Sequence, residues 1–87
     1  MSDALGKARS IYHECAQKQT YDEGIHALGA LIAEGVEAGE VFQLRASLHA
    51  IVGDVSQAKR DLDTAIEIRP KSGGLYYDRG VVHHRMK

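Results

Sequence analysis

Between residues 55 and 66 the apolar side chains Val55, Ala58, Leu62, Ala65 and Ile66 recur at three- and four-residue steps. That spacing puts them on one stripe of a helix, since about 3.6 residues complete a turn. Gly53-Asp54 reads as the turn ahead of it, Asp54 or Ser56 as its N-cap, and Pro70 as a point by which it has ended. A second stripe, Ile25, Leu28, Leu31 and Ile32, follows Thr20 as candidate N-cap and Asp22 and Glu23, which suit the positive end of a helix dipole. Gly35 and Gly39 read as turn residues that close that helix and bound a linker.

From 42 to 50 the pattern changes. Phe, Leu, Ala, Leu and Ala alternate with Gln, Arg, Ser and His, which by period alone describes a strand. Leu and Ala favour helix and β-branched residues stand only at the edges of the segment, so we read it as helix. The predicted elements are helices over 4–18, 21–34, 40–52, 55–68 and 74–86, joined by short turns.

The chain also matches itself at a fixed displacement: Phe42 pairs with Tyr76, Arg45 with Arg79, Ala46 with Gly80 and His49 with His83. The same step backwards pairs Val55 with Tyr21, Ala58 with Gly24, Leu62 with Leu28 and His49 with Cys15. One domain, 1–87, therefore divides into copies over 5–38 and 39–72 and a half copy over 73–87. The residues Phe42-x2-Arg45-Ala46-x2-His49, Ala58-x3-Leu62, Ala65 and Pro70, with Tyr76-x2-Arg79-Gly80-x2-His83 after them, resemble the tetratricopeptide repeat, a helix-turn-helix unit whose period equals that displacement. Arg45 and Arg79 depart from it by replacing a leucine, Tyr12 by replacing a small residue and Leu31 by replacing an alanine. The resemblance implies an all-α fold: a short right-handed α-solenoid of five helices in antiparallel hairpins around one continuous core.

Composition narrows the function. The apolar fraction of 44%, the charged fraction of 26% and the single proline belong to a folded globular chain. A net charge of −1 lacks the positive field of a nucleic-acid binder, and no apolar run approaches a membrane span. The N-terminal MSDALGKARS has no apolar core behind a basic start, and one cysteine, Cys15, cannot form an internal disulfide; both point to a cytoplasmic protein.

Catalysis and metal binding find little support. Cys15, His49 and His83 share one place in successive copies, yet neighbouring helices lie about 8–10 Å apart, too far to share one zinc. His13 and Cys15, two positions apart on a helix, do not face each other; His49 is the remaining candidate base. His83 and His84 point in different directions. The glycines contain no phosphate-loop spacing. We expect no enzyme, no cofactor and no metal.

The charges are unevenly placed. The first helices of the copies, with Lys87, carry seven basic and three acidic residues, and the rest of the chain four and nine. In the family the first helices line a concave groove, so the resemblance implies a mildly basic groove that binds a protein or peptide. The positions it implies are Arg9, His13, Gln17, Gln43, Ser47, Tyr77, Val81, His84 and Arg85. The expected ligand is an acidic or amphipathic segment, with acidic groups meeting Arg9 and Arg85 and apolar ones meeting Tyr77 and Val81. Some members clamp the acidic tail of heat-shock chaperones; the matching places here hold Arg9, His13, Leu44, Gly74 and Asp78, which predicts no useful affinity for such a tail. The alternative is an assembly module: Leu75, Tyr76, Val81, Val82 and Met86 are too many apolar groups to all enter one small core, and the patch left over on an open C-terminal helix favours a homodimer through that end.

Overall fold

The computed structural model describes residues 4–36 and 38–85; Met86 and Lys87, counted in the last predicted helix and its charge, lie outside them. The fold is all-α, with helices α1 (Ala4–Lys18), α2 (Tyr21–Ala33), α3 (Gly39–Ile51), α4 (Val55–Ile68) and α5 (Gly73–Arg85), and no strand among the described residues. The bounds of the first four helices fall within one residue of those the sequence predicts.

The helix ends show how the connections work. Thr20 N–H bonds the Cys15 carbonyl at 3.0 Å, Val36 N–H that of Leu31 at 3.1 Å, and Asp54 N–H that of His49 at 2.9 Å. Each is the wide closing bond of a Schellman cap, in which one residue turns left-handed. Those residues are Gln19 (φ 58°), Gly35 (φ 95°) and Gly53 (φ 89°). Asp54 caps α4 by accepting from Gln57 N–H at 3.3 Å, whereas Thr20 makes no side-chain cap to α2. Gly39 bounds the connection between α2 and α3 but is no turn residue: it is the buried first residue of α3, where an added Cβ would lie 2.9 Å from Arg69 Cδ at the end of α4.

Helices adjacent in sequence pack together, and α1 also packs on α3. The start of α3 meets the end of α4, and Gly24 at the start of α2 meets Cys15 near the end of α1, so both pairs are antiparallel hairpins. The smallest extent of the molecule is 19 Å, the thickness of two helix layers of about 10 Å each. Between α3 and α5 the bonds Gln43–Asp78 and Ala50–Arg85 both join positions 35 apart, so these helices lie side by side and run the same way.

Apolar burial divides in two rather than forming one continuous core. Ala8, Leu28, Leu31, Val41 and Leu48 make one cluster; Ala46, Ala58, Leu62, Ala65, Ile66, Leu75 and Val82 make the other. Helix α3 serves both. Val41, Leu44 and Leu48 face the first cluster, while Phe42, Ala46 and Ala50 face the second. Two helical stripes interleaved along one helix produce the strand-like alternation at 42–50, because a helix buried on two sides has polar residues only in the gaps between.

Candidate binding groove

Between α3 and α5 lies a cavity of about 280 Å³. Small side chains open it: Ala46, Ser47 and Ala50 line its α3 wall, and Leu62 of α4 also contributes. On α5, Tyr77 and Val81 stand one turn apart and face it together with Asp78, Val82 and Arg85. Tyr77 is 73% exposed and Val81 45%, so apolar surface remains in water at this opening. Hydrogen bonds hold the two walls. Gln43 Nε2 donates to Asp78 Oδ2 at 2.9 Å, and Arg85 Nη2 donates to the Ala50 carbonyl at 3.1 Å. Ser47 Oγ donates back to the Gln43 carbonyl at 3.2 Å.

Of the residues the sequence assigns to a groove, Ser47, Tyr77, Val81 and Arg85 converge here, and Gln43 braces the wall through Asp78. His84 borders a shallow depression on α5 beside Tyr77 and Val81. Arg9, His13 and Gln17 lie on α1 and do not line the cavity. Arg9 is already engaged: Nη2 donates to Glu40 Oε1 at 2.9 Å, and Nε donates to Oε2. That bond raises the pKa of Arg9 and holds the Glu40 carboxyl below its ordinary value. His13 lies edge-on to Tyr12, with centroids 5.8 Å apart.

The sequence reading misses the polar centre of the second cluster. Arg45 donates from Nε and Nη2 to both oxygens of Asp61, at 2.7 and 2.6 Å, and its guanidinium lies 5.8 Å from the Phe42 ring centroid. Asp61 is only 4% exposed, and its hydrogen bond raises the pKa of Arg45. His49 Nε2 stands 3.6 Å from the same carboxylate. A signal is present in the sequence, since the corresponding places of the first copy, Ile11 and Ala27, are both apolar; the two places change character together. On α5, Arg79 repeats the stack at 5.3 Å over Tyr76 and meets Asp63 at 3.4 Å. Hydrogen bonds from Lys59 first and then Arg79, with their charges, hold Asp63 below its ordinary value.

Cys15 is buried where an added Cβ on Gly24 would meet its Sγ at 2.6 Å. Among the described residues no three His, Cys, Asp or Glu side chains are placed to hold a metal ion, and no helix is long and apolar enough to cross a membrane. The chain matches no family model, no curated protein and no solved structure.

Proposed function

We propose that this chain is a protein-interaction module of the tetratricopeptide kind, binding a peptide segment of a partner between α3 and α5 without chemistry. The observation that carries this reading is the cavity in which exposed Tyr77 and Val81 stand beside Ser47 and Arg85. An apolar opening with a few polar groups suits a short amphipathic segment. Arg85 has donors to spare beyond the one on Ala50 and can meet an acidic side chain; Arg9 must first leave Glu40. Affinity is therefore modest, with the aromatic anchor outweighing the charges. Cys15, the single cysteine, accords with a cytoplasmic setting.

Selection from a displayed library of random dodecapeptides tests the reading. Enriched peptides should combine an apolar anchor with acidic residues, shift the amides of Ser47, Tyr77 and Val81, and lose more affinity on Tyr77→Ala than on Arg85→Ala. Shifts confined to α2 and α4 would make the outer face the binding surface. Self-association through α5 is the second reading, favoured by the exposure of Tyr76, Tyr77 and Val81. It predicts a solution mass that rises with concentration, and a constant monomer mass overturns it.

A further inference from the structure

The groove leaves another face of α5 unexplained. Tyr76, Arg79 and Gly80, with His83 one turn on, border a depression that Lys59 closes from α4. All four α5 residues stand one repeat after Phe42, Arg45, Ala46 and His49. What covers the earlier set is known, because α4 lies on it. Ala46 is 2% exposed and Ala58 fully buried, and Asp61 of α4 takes both Nε and Nη2 of Arg45.

The surroundings of the two arginines correspond as well. Arg45 Nη1 lies beside α2, 3.3 Å from where Gly29 would carry a Cβ. Arg79 Nη1 lies beside α4, 3.4 Å from Asp63, which stands one repeat after Gly29. Each arginine thus touches the helix before its own and stacks on its own aromatic. The difference lies on the far side. Arg45 has the Asp61 carboxylate there; at the corresponding side of Arg79, an added Cβ on Gly80 would meet nothing within 4 Å among the described residues beyond its own stretch of helix, and Tyr76 is 43% exposed.

The geometry points to this end face of α5 as a docking site for an amphipathic helix of a partner protein that carries a carboxylate. Position by position, α4 supplies the template: a small residue at the place of Ala58, the carboxylate at that of Asp61, an apolar residue at that of Leu62 and a second small residue at that of Ala65. Gly80 admits the close approach, as Ala46 does under α4. Charge selects the occupant. Arg79 answers the carboxylate, whereas a second copy of the same face would bring arginine against arginine.

A synthetic peptide with the sequence of residues 54–69, capped at both ends, is the probe. Titrated into the intact labelled protein, it should shift the amides of Tyr76, Arg79, Gly80 and His83 saturably. Changing the peptide's aspartate at position 61 to arginine should weaken binding at least tenfold, as should Arg79→Glu in the protein. Combining the two changes should restore the affinity to within about threefold. Gly80→Leu, whose Cβ would meet no neighbouring helix among the described residues, should abolish docking without lowering the melting temperature, since leucine favours helix over glycine. Shifts at Phe42, Arg45, Ala46 and His49 would mean that the peptide replaces α4, and shifts limited to Ser47, Tyr77 and Val81 would mean that it enters the groove; either overturns the inference. So does failure of the charge swap to restore binding, or a concentration-dependent dimer that buries Gly80. None of these readouts depends on Tyr77→Ala, so this face and the groove fail or stand separately.

Discussion

The two sides of α3 solve the same packing problem with different chemistry. Toward α1 and α2 the buried contact is apolar and tight, with Cys15, Gly24 and Leu48 leaving no room for one extra carbon, and the ion pair of Arg9 with Glu40 lies at its surface. Toward α4 the places of Cys15 and Ile11 are taken by His49 and Arg45, and a bidentate ion pair to Asp61 joins the hairpin. In its interior one half is fixed by shape and the other by charge geometry. The two helical pairs thus reach a packed interior by either solution, with both members of the facing pair differing together.

The sharpest way to break the comparison is Asp61→Ala. It strands Arg45 in a partly buried place, and breaking such a pair costs about 3 kcal/mol. In a domain of this size that lowers the melting temperature by roughly 15 °C. Writing the first copy's residues into the second, Arg45→Ile with Asp61→Ala, should recover most of the loss, because apolar replacement of a buried ion pair is often neutral or better. A double variant no more stable than Asp61→Ala in urea titration would show that the two halves are not interchangeable.

On the apolar side, Gly24→Ala should destabilise by about 1–2 kcal/mol, because overpacking outweighs the better helix propensity of alanine. Its Cβ would sit 2.8 Å from Leu48 Cδ1 as well as close to Cys15 Sγ. Cys15→Ala, which removes the nearer obstacle, should return part of that stability in the double variant.

A smaller effect, of opposite sign, is expected at the end of α1. Gln19 occupies the left-handed position that Gly53 fills in the next copy. Gln19→Gly should stabilise by about 1 kcal/mol by relieving the Cβ clash of a left-handed residue, while Gly53→Ala should destabilise by a similar amount. Differential scanning calorimetry of the two variants reads both signs.

The smallest effect divides the ion pairs by pH. Glu40 and Asp63 are both held below their ordinary values of 4.5 and 3.8. Their stabilisation is therefore complete above those values and is lost as pH falls through them toward the folded-state values. Arg9→Gln should flatten the part of the acid limb that begins near 4.5, and Lys59→Gln the part that begins near 3.8. Melting temperatures followed from neutral pH down through the acid limb would show whether the two steps separate.

Helix existence and phase are legible because every element carries a three-to-four-residue apolar rhythm or its repeat equivalent. Even at 42–50 helix formers and the repeat correspondence outweigh the strand-like period, although the cause of that period, burial on two sides, is a tertiary fact. Thr20 has the chemistry of a cap but not the role, whereas Asp54, which follows the same kind of turn one repeat later, does cap its helix, and nothing in the local sequence separates the two. Gly39 resembles a turn residue because its neighbour, the Arg69 stem, lies far along the chain on another helix. Within the groove, helical phase suffices to bring Tyr77, Val81 and Arg85 to one wall. The engagement of Arg9 by Glu40 and of Arg45 by Asp61 stays hidden, since a charge in a sequence reads as a solvated face until its partner is placed.

Among the described residues α3 alone contributes to both apolar clusters, so it is the one helix whose loss breaks into both of them. Opening at either end of the molecule leaves the opposite cluster whole, whereas α3 is released only by global unfolding. Amide hydrogen exchange should accordingly slow toward the middle of the chain, with Val41 to Leu48 reporting the full unfolding free energy and α1 and α5 exchanging through partial openings. In a chain of two helical pairs and one further helix, cooperativity then resides in a shared element rather than in the number of units, and either end can open without unfolding the other.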